Sequence, residues 1–190
     1  MKFLVIAAVS VVLVLAKRDP TKVCAPDTLQ TGFYDFNRDD YGLAVADFTK
    51  NLTSLSFYKS GVKVVYDNNN MKGYLTNKDG ACSQFPLDAT QLTSQCLPSN
   101  AVELANDTIH IGLSSSGTKI TTWEIQSSAT AGVRVAVTNQ TPAIPVLRQV
   151  LGGTQTKVAG DVLFFTNPST TIDNTSMLFI PSVCPPAVVV

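Results

Sequence analysis

The chain has one histidine, His110, and four cysteines, Cys24, Cys82, Cys96 and Cys184, and most nucleophilic or metal chemistry would have to run through them. A Ser-His-Asp or Cys-His arrangement needs His110 as its base. In Thr108-Ile109-His110-Ile111-Gly112 the two isoleucines share one strand face and the histidine takes the other, with no nucleophile motif beside it. The reading is a solvated strand histidine, no catalytic residue and no enzyme. Structural zinc wants clustered Cys and His ligands, and these cysteines are dispersed. Calcium needs only oxygen ligands, and Asp35, Asp39, Asp40 and Asp47 form the densest acidic group. They lack the loop spacing of a calcium hand, so a polar hairpin is expected there, and calcium is retained as a candidate cofactor without assigned ligands. Gly152-Gly153 precedes neither Lys-Ser/Thr nor a helical pattern and is no phosphate loop.

The cysteines carry information of another kind, about compartment. Lys2, the apolar residues 3–15 and the small-residue site Val14-Leu15-Ala16 read as a cleavable secretion signal over residues 1–16, leaving 17–190 as a single domain. The apolar stretch is shorter than the roughly 20 residues that span a bilayer, and Lys17-Arg18-Asp19-Pro20 ends it, so no membrane span is expected. In an oxidising compartment four cysteines favour two disulfides, for which counting allows three connectivities. Asn-X-Ser/Thr sequons at Asn51, Asn106, Asn139 and Asn174 agree with secretion, although Pro142 makes Asn139 a poor acceptor. Zero formal net charge and only 15% charged residues argue against nucleic acid as a partner.

The elements that must position these residues are strands. Period-two alternation recurs, broken by Gly, Asn, Asp and Ser, and predicts strands over 31–37, 43–49, 54–58, 62–67, 72–76, 109–113, 119–126, 133–138, 147–151 and 161–166. It is clearest where Val133, Val135 and Val137 alternate with Arg134, Ala136 and Thr138. One short helix is expected over 99–105, capped by Ser99. So many strands in one domain need closure or two packed layers, giving a mainly β sandwich or half-open barrel. Such folds can enclose a ligand. Aromatic residues including Phe33, Phe48, Phe57, Trp123, Phe164 and Phe165 would either line the enclosure or fill the core.

Several motifs, taken in order, resemble the ependymin-related family of secreted glycoproteins. They are Cys24-Ala25-Pro26, Tyr74 with Asp79-Gly80-Ala81-Cys82 and Pro86-Leu87, Cys96-Leu97-Pro98, Thr122-Trp123-Glu124, Pro145-Val146 and Phe179-Ile180-Pro181-Ser182-Val183-Cys184. The similarity covers nearly all of residues 17–190, and it is the order of the motifs that is specific. It implies two stacked antiparallel sheets around a hydrophobic pocket, with one or two short helices, in a dimer. It also implies binding of a lipid-like ligand, calcium-dependent interaction with extracellular matrix, and no enzymatic activity. By the same analogy Cys82 pairs with Cys184, leaving Cys24 for Cys96. Trp123, Val133, Val135, Val137 and Phe164 are the candidate pocket residues. The alternative function is a structural or adhesive matrix glycoprotein that assembles through calcium and glycans.

Overall fold

The computed structural model describes residues 18–87, 93–104, 109–112, 117–126, 128, 131–152 and 162–186. The expected signal peptide and the sequon at Asn106 lie outside the described residues. Among the described residues twelve strands follow one another: β1 (Thr28–Asp35), β2 (Asp40–Asp47), β3 (Leu52–Phe57), β4 (Lys63–Asp67), β5 (Lys72–Thr76), β6 (Cys82–Pro86), β7 (Val102–Glu103), β8 (Ile109–Ile111), β9 (Thr118–Gln126), β10 (Ala131–Thr138), β11 (Pro145–Gly152) and β12 (Val162–Ser169). All pair antiparallel in one sheet of order β6-β5-β4-β3-β2-β1-β12-β11-β10-β9-β7, with β8 also on β9. Two short 3-10 turns, Pro20–Lys22 and Thr175–Leu178, are the helical elements among the described residues.

Three hairpins are built on one turn. β1–β2, β2–β3 and β4–β5 are each joined by four residues, 36–39, 48–51 and 68–71. Each preceding strand ends in Asp, and each loop ends in a residue with left-handed backbone: Asp39 (φ 49°), Asn51 (φ 54°) and Met71 (φ 53°). The carboxylates of Asp35, Asp47 and Asp67 turn back to accept backbone N–H groups of their own loops, at 3.0 Å from Asn37, 3.3 Å from Lys50 and 3.1 Å from Asn69. An aspartate in this position replaces water on N–H groups that the ladder cannot reach. The acidic group that suggested calcium thus has a local use. The β3–β4 loop takes its aspartate from next door: Asp40 accepts from the N–H groups of Lys59 and Ser60.

Between the turns, alternation sets the faces. β1 buries every second residue, Leu29, Thr31, Phe33 and Asp35. Register carries this row across the sheet, Thr31 lying opposite Ala44, Ala44 opposite Leu55, and Leu55 opposite Val64. Phe33, Phe57, Val64, Tyr66 and Leu163 form the largest buried cluster, Phe33 and Phe57 meeting edge to face at 5.0 Å. A second cluster gathers Val23, Ala101, Trp123, Val137 and Ala143. On the opposite face of β2 and β3, Val45 and Leu52 are covered by Met177 and Leu178 of the second 3-10 turn. Lys63 clasps that turn, its ammonium donating to the Ser176 carbonyl at 2.9 Å, and burial pushes the amine below the usual lysine range.

The expected helix over 99–105 is corrected. Ser99 and Asn100 form a turn and Val102–Glu103 pair with Glu124 and Trp123 of β9. A seven-residue helix is marginal by itself, whereas the outer edge of β9 offers unpaired backbone groups that a short strand can satisfy. The Leu104 N–H likewise donates to the Thr122 carbonyl at 3.0 Å. β6 adds a strand that alternation does not predict, because Cys82-Ser83-Gln84-Phe85-Pro86 has little of it; its register on β5 sets Phe85 opposite Gly73.

Candidate ligand-binding cavity

An apolar hollow of about 430 Å³ is lined by Leu29 of β1, Ala46 of β2, Leu55 of β3, Tyr66 of β4, Ile125 of β9, Val133 and Val135 of β10, and Leu163 and Phe165 of β12. That volume lies within the range of small-molecule sites. Apolar walls of this kind bind by removing water from hydrocarbon, at about 25 cal/mol per Å² buried.

Residues 93–98, between β6 and β7, form a strap that contributes to the lining. It is tied to the segment before β1 by the Cys24–Cys96 disulfide and two backbone hydrogen bonds, Ala25 N–H to the Gln95 carbonyl (2.7 Å) and Leu97 N–H to the Val23 carbonyl (3.0 Å). The Gln95 amide donates to the Asp27 carboxylate at 2.8 Å. At the strap's other end the Asn68 amide donates to the Thr93 hydroxyl and carbonyl at 2.8 and 2.9 Å, and the Thr93 and Thr53 hydroxyls lie 3.0 Å apart. The second disulfide, Cys82–Cys184, ties β6 to the chain end, where Gln84 N–H donates to the Pro185 carbonyl at 2.8 Å.

Val133, Val135 and Val137 line the hollow. Trp123 packs against Val135 and Val137 within the second cluster, 1% exposed, its indole N–H without a hydrogen-bond partner among the described residues. Phe164 pairs with Tyr34 and Leu147, whereas its neighbours Leu163 and Phe165 line the wall. Phe48 also lines it, while Phe33 and Phe57 fill the core. Sequence reasoning missed Arg148, Tyr66 and the strap. Among the described residues Arg148 is the one charged member of the lining, and neither composition nor alternation marks it.

The other candidates lie elsewhere. His110 is exposed on β8 opposite Lys119. Among the described residues no group of three or more His, Cys, Asp or Glu side chains could hold a metal ion. Asp39 takes the Lys59 ammonium at 2.6 Å and the Tyr34 hydroxyl, and these hydrogen bonds hold its carboxyl below the usual aspartate range. Asn51 is exposed on a hairpin, its amide donating to Asn69 at 2.9 Å. Asn174 is exposed and caps the second 3-10 turn through Ser176. Asn139 is half buried and accepts from the Thr121 hydroxyl at 2.6 Å.

No protein-family model matches the chain, and no curated protein matches it. A solved structure does. The chain is similar to an uncharacterized conserved protein from Thermus thermophilus, with 12% identity, a TM-score of 0.52, and coverage of 89% of this chain and 94% of the other. At that identity the likeness shows the fold alone.

Proposed function

We propose that this chain is a secreted, ependymin-like glycoprotein that holds a hydrophobic, lipid-like ligand between two facing layers of its sheet and performs no chemistry on it. One observation carries the reading: side chains far apart in the strand order line one hollow. Tyr66 of β4 and Ile125 of β9 are seven strand spacings apart, about 34 Å in a flat sheet at roughly 4.8 Å per strand. Their sharing of one hollow of about 430 Å³ supports a sheet folded over on itself. The lining is mostly aliphatic and aromatic, with several hydroxyls, Gln95 and Arg148 besides, which suits a hydrocarbon chain. Two disulfides support an oxidising, extracellular compartment. The order of the cysteine and proline motifs supports the ependymin-like assignment, and the sequons at Asn51 and Asn174 sit on exposed turns where a glycan has room.

Native mass spectrometry and organic extraction of protein recovered from secretion medium test the carrier role, together with titration of a fluorescent fatty acid. Bound lipid, or saturable displacement of the probe, is the expected result. Absence of lipid and of any affinity for the probe would sink the proposal. Calcium-driven assembly in light scattering without lipid would favour the matrix glycoprotein in its place.

A further inference from the structure

We propose that a row of aromatic side chains on the outer face of the sheet, Phe164, Tyr34, Tyr41 and Tyr58 with Phe36 beside it, is a binding platform for a neutral oligosaccharide. Register builds the row. Tyr34 of β1 lies opposite Phe164 of β12 on one side and Tyr41 of β2 on the other, and the Tyr58 N–H, just past β3, donates to the Tyr41 carbonyl at 2.8 Å. Tyr34 alternates with the buried Phe33 and Asp35, so the row faces away from the core side of β1, and none of its members lines the hollow. The inference therefore stands apart from the carrier reading. Farther along β2, Val45 is covered by Met177 and Leu178, whereas Tyr41 and Tyr58 are each 55% exposed and Phe36 59%. Four strands side by side extend about 14 Å at roughly 4.8 Å per spacing, about the length of two or three sugar rings.

Tyr34 meets Phe36 edge to face at 5.0 Å and Tyr41 meets Tyr58 likewise at 5.8 Å, so the rings brace one another and each keeps a face outside its pair. The electron-rich face of such a ring attracts the C–H patch of a pyranose, whose hydroxyls then point to the rim. At the rim the Asp39 carboxylate and the Lys59 ammonium, 2.6 Å apart and both exposed, offer an acceptor and a donor. Charges around the row are balanced, Asp39 by Lys59 and Asp35 by Arg38 at 3.7 Å, which suits an uncharged partner. The exposed rings offer on the order of 350 Å², well short of the roughly 800 Å² that each partner buries in a stable protein interface. That area fits a small glycan better than a second protein.

Calorimetry of the intact protein with maltotriose, cellotriose and chitotriose, in EDTA so that calcium plays no part, tests this on wild type, Tyr41→Ala, Tyr41→Phe and Tyr58→Ala. Wild type is expected to bind at least one of these neutral trisaccharides. Tyr41→Ala should weaken that binding by roughly tenfold, which is what losing about 55 Å² of buried apolar contact is worth. Tyr41→Phe should restore most of the affinity, because the ring survives. Tyr58→Ala serves if Tyr41→Ala fails to fold in circular dichroism. The proposal falls if wild type binds none of the three, binds a heparin-derived oligosaccharide more tightly, or binds no better than Tyr41→Ala. A dimer in sedimentation that Tyr41→Ala dissociates, without sugar binding, overturns it in favour of a second copy of the chain. Each of these outcomes leaves fatty-acid binding in the hollow untouched, so the two readings fail separately.

Discussion

The carboxylate of Asp40, the first residue of β2, accepts the backbone N–H of Lys59 at 2.9 Å from the tip of the neighbouring hairpin. The same carboxylate takes the N–H of Ser60 at 3.0 Å and of Tyr41 at 2.7 Å, and Asp40 is 3% exposed. One side chain thus ties the start of one strand to the turn between the next two. Asp40→Ala should cost about 1–3 kcal/mol, because the N–H groups of Lys59 and Ser60 lose their acceptor. Urea unfolding measures this, and an unchanged midpoint would show that water replaces the carboxylate without loss.

The same residue predicts a pH dependence. Burial raises the Asp40 pKa, but hydrogen bonds from Ser60, Lys59 and Tyr41 outweigh it and hold the carboxyl below the usual aspartate range. Asp47 behaves alike, desolvation being outweighed by Lys50 and Thr49. A depressed folded pKa gives stability that is present above the unfolded value, near 3.9, and lost as pH falls through the folded value. Stability should therefore decline below about pH 4. Asp40→Asn should make that decline shallower; parallel curves for variant and wild type would place the acid sensitivity elsewhere.

Two glycines separate side-chain from backbone crowding. A methyl group at Gly42 would overlap the Ser56 carbonyl, which belongs to the paired strand, whereas at Gly73 it would meet the ring of Phe85. Rings can turn, and ladders cannot without loss of hydrogen bonds. Gly42→Ala should therefore cost more than Gly73→Ala, whose penalty should be about 1–3 kcal/mol. Adding Phe85→Ala should make the Gly73→Ala penalty smaller than in the parent, a coupling that a double-mutant cycle reads directly.

Trp123 is the one tryptophan of the chain. Trp123→Phe removes the buried N–H that lacks a partner among the described residues and keeps most of the ring, so its loss should stay under about 1.5 kcal/mol. Trp123→Ala should lose about 3–5 kcal/mol. Thermal unfolding ranks the three proteins, and equal losses in both variants would mean that the N–H is satisfied in solution.

Removing the Cys24–Cys96 bridge by paired serine substitution opens a loop of 72 residues' separation, worth about 4 kcal/mol in the chain-entropy model. The bridge also anchors the strap that lines the hollow, so on the proposed carrier reading a fluorescent fatty acid should dissociate faster from the variant. Lower stability with an unchanged off-rate would make the strap a bystander.

Much of the architecture was legible because strands and turns are local. Alternation at Val133, Val135 and Val137 marks their shared face, and the Gly, Asn, Asp and Ser breaks between runs mark the turns. The stretch 99–105 misled because its cap and spacing suit a helix in isolation, while the open edge of β9 is a tertiary fact. Cysteine pairing was equally beyond local reading, since spacing leaves three connectivities and only the path of the chain brings Cys24 to Cys96 and Cys82 to Cys184.

The cavity shows the division most sharply. Phe164 and Phe165 are chemically the same, and Leu147-Arg148-Gln149-Val150 has no alternation, so nothing local says which members face inward. Register decides: Phe165 lies opposite Phe33, with an irregularity between Gln30 and Gly32, and Arg148 lies opposite Val135 and Leu163. A slip of one residue reverses every side chain of a strand. By itself the sequence determined a mainly β domain with polar hairpins and cysteines suited to an oxidising compartment; that Asp35, Asp40, Asp47 and Asp67 are buried and hold the hairpin N–H groups was seen only in the structure. Which phenylalanine and which arginine line the hollow was decided only in tertiary structure, because a strand's faces acquire an inside and an outside only when its neighbours pair with it.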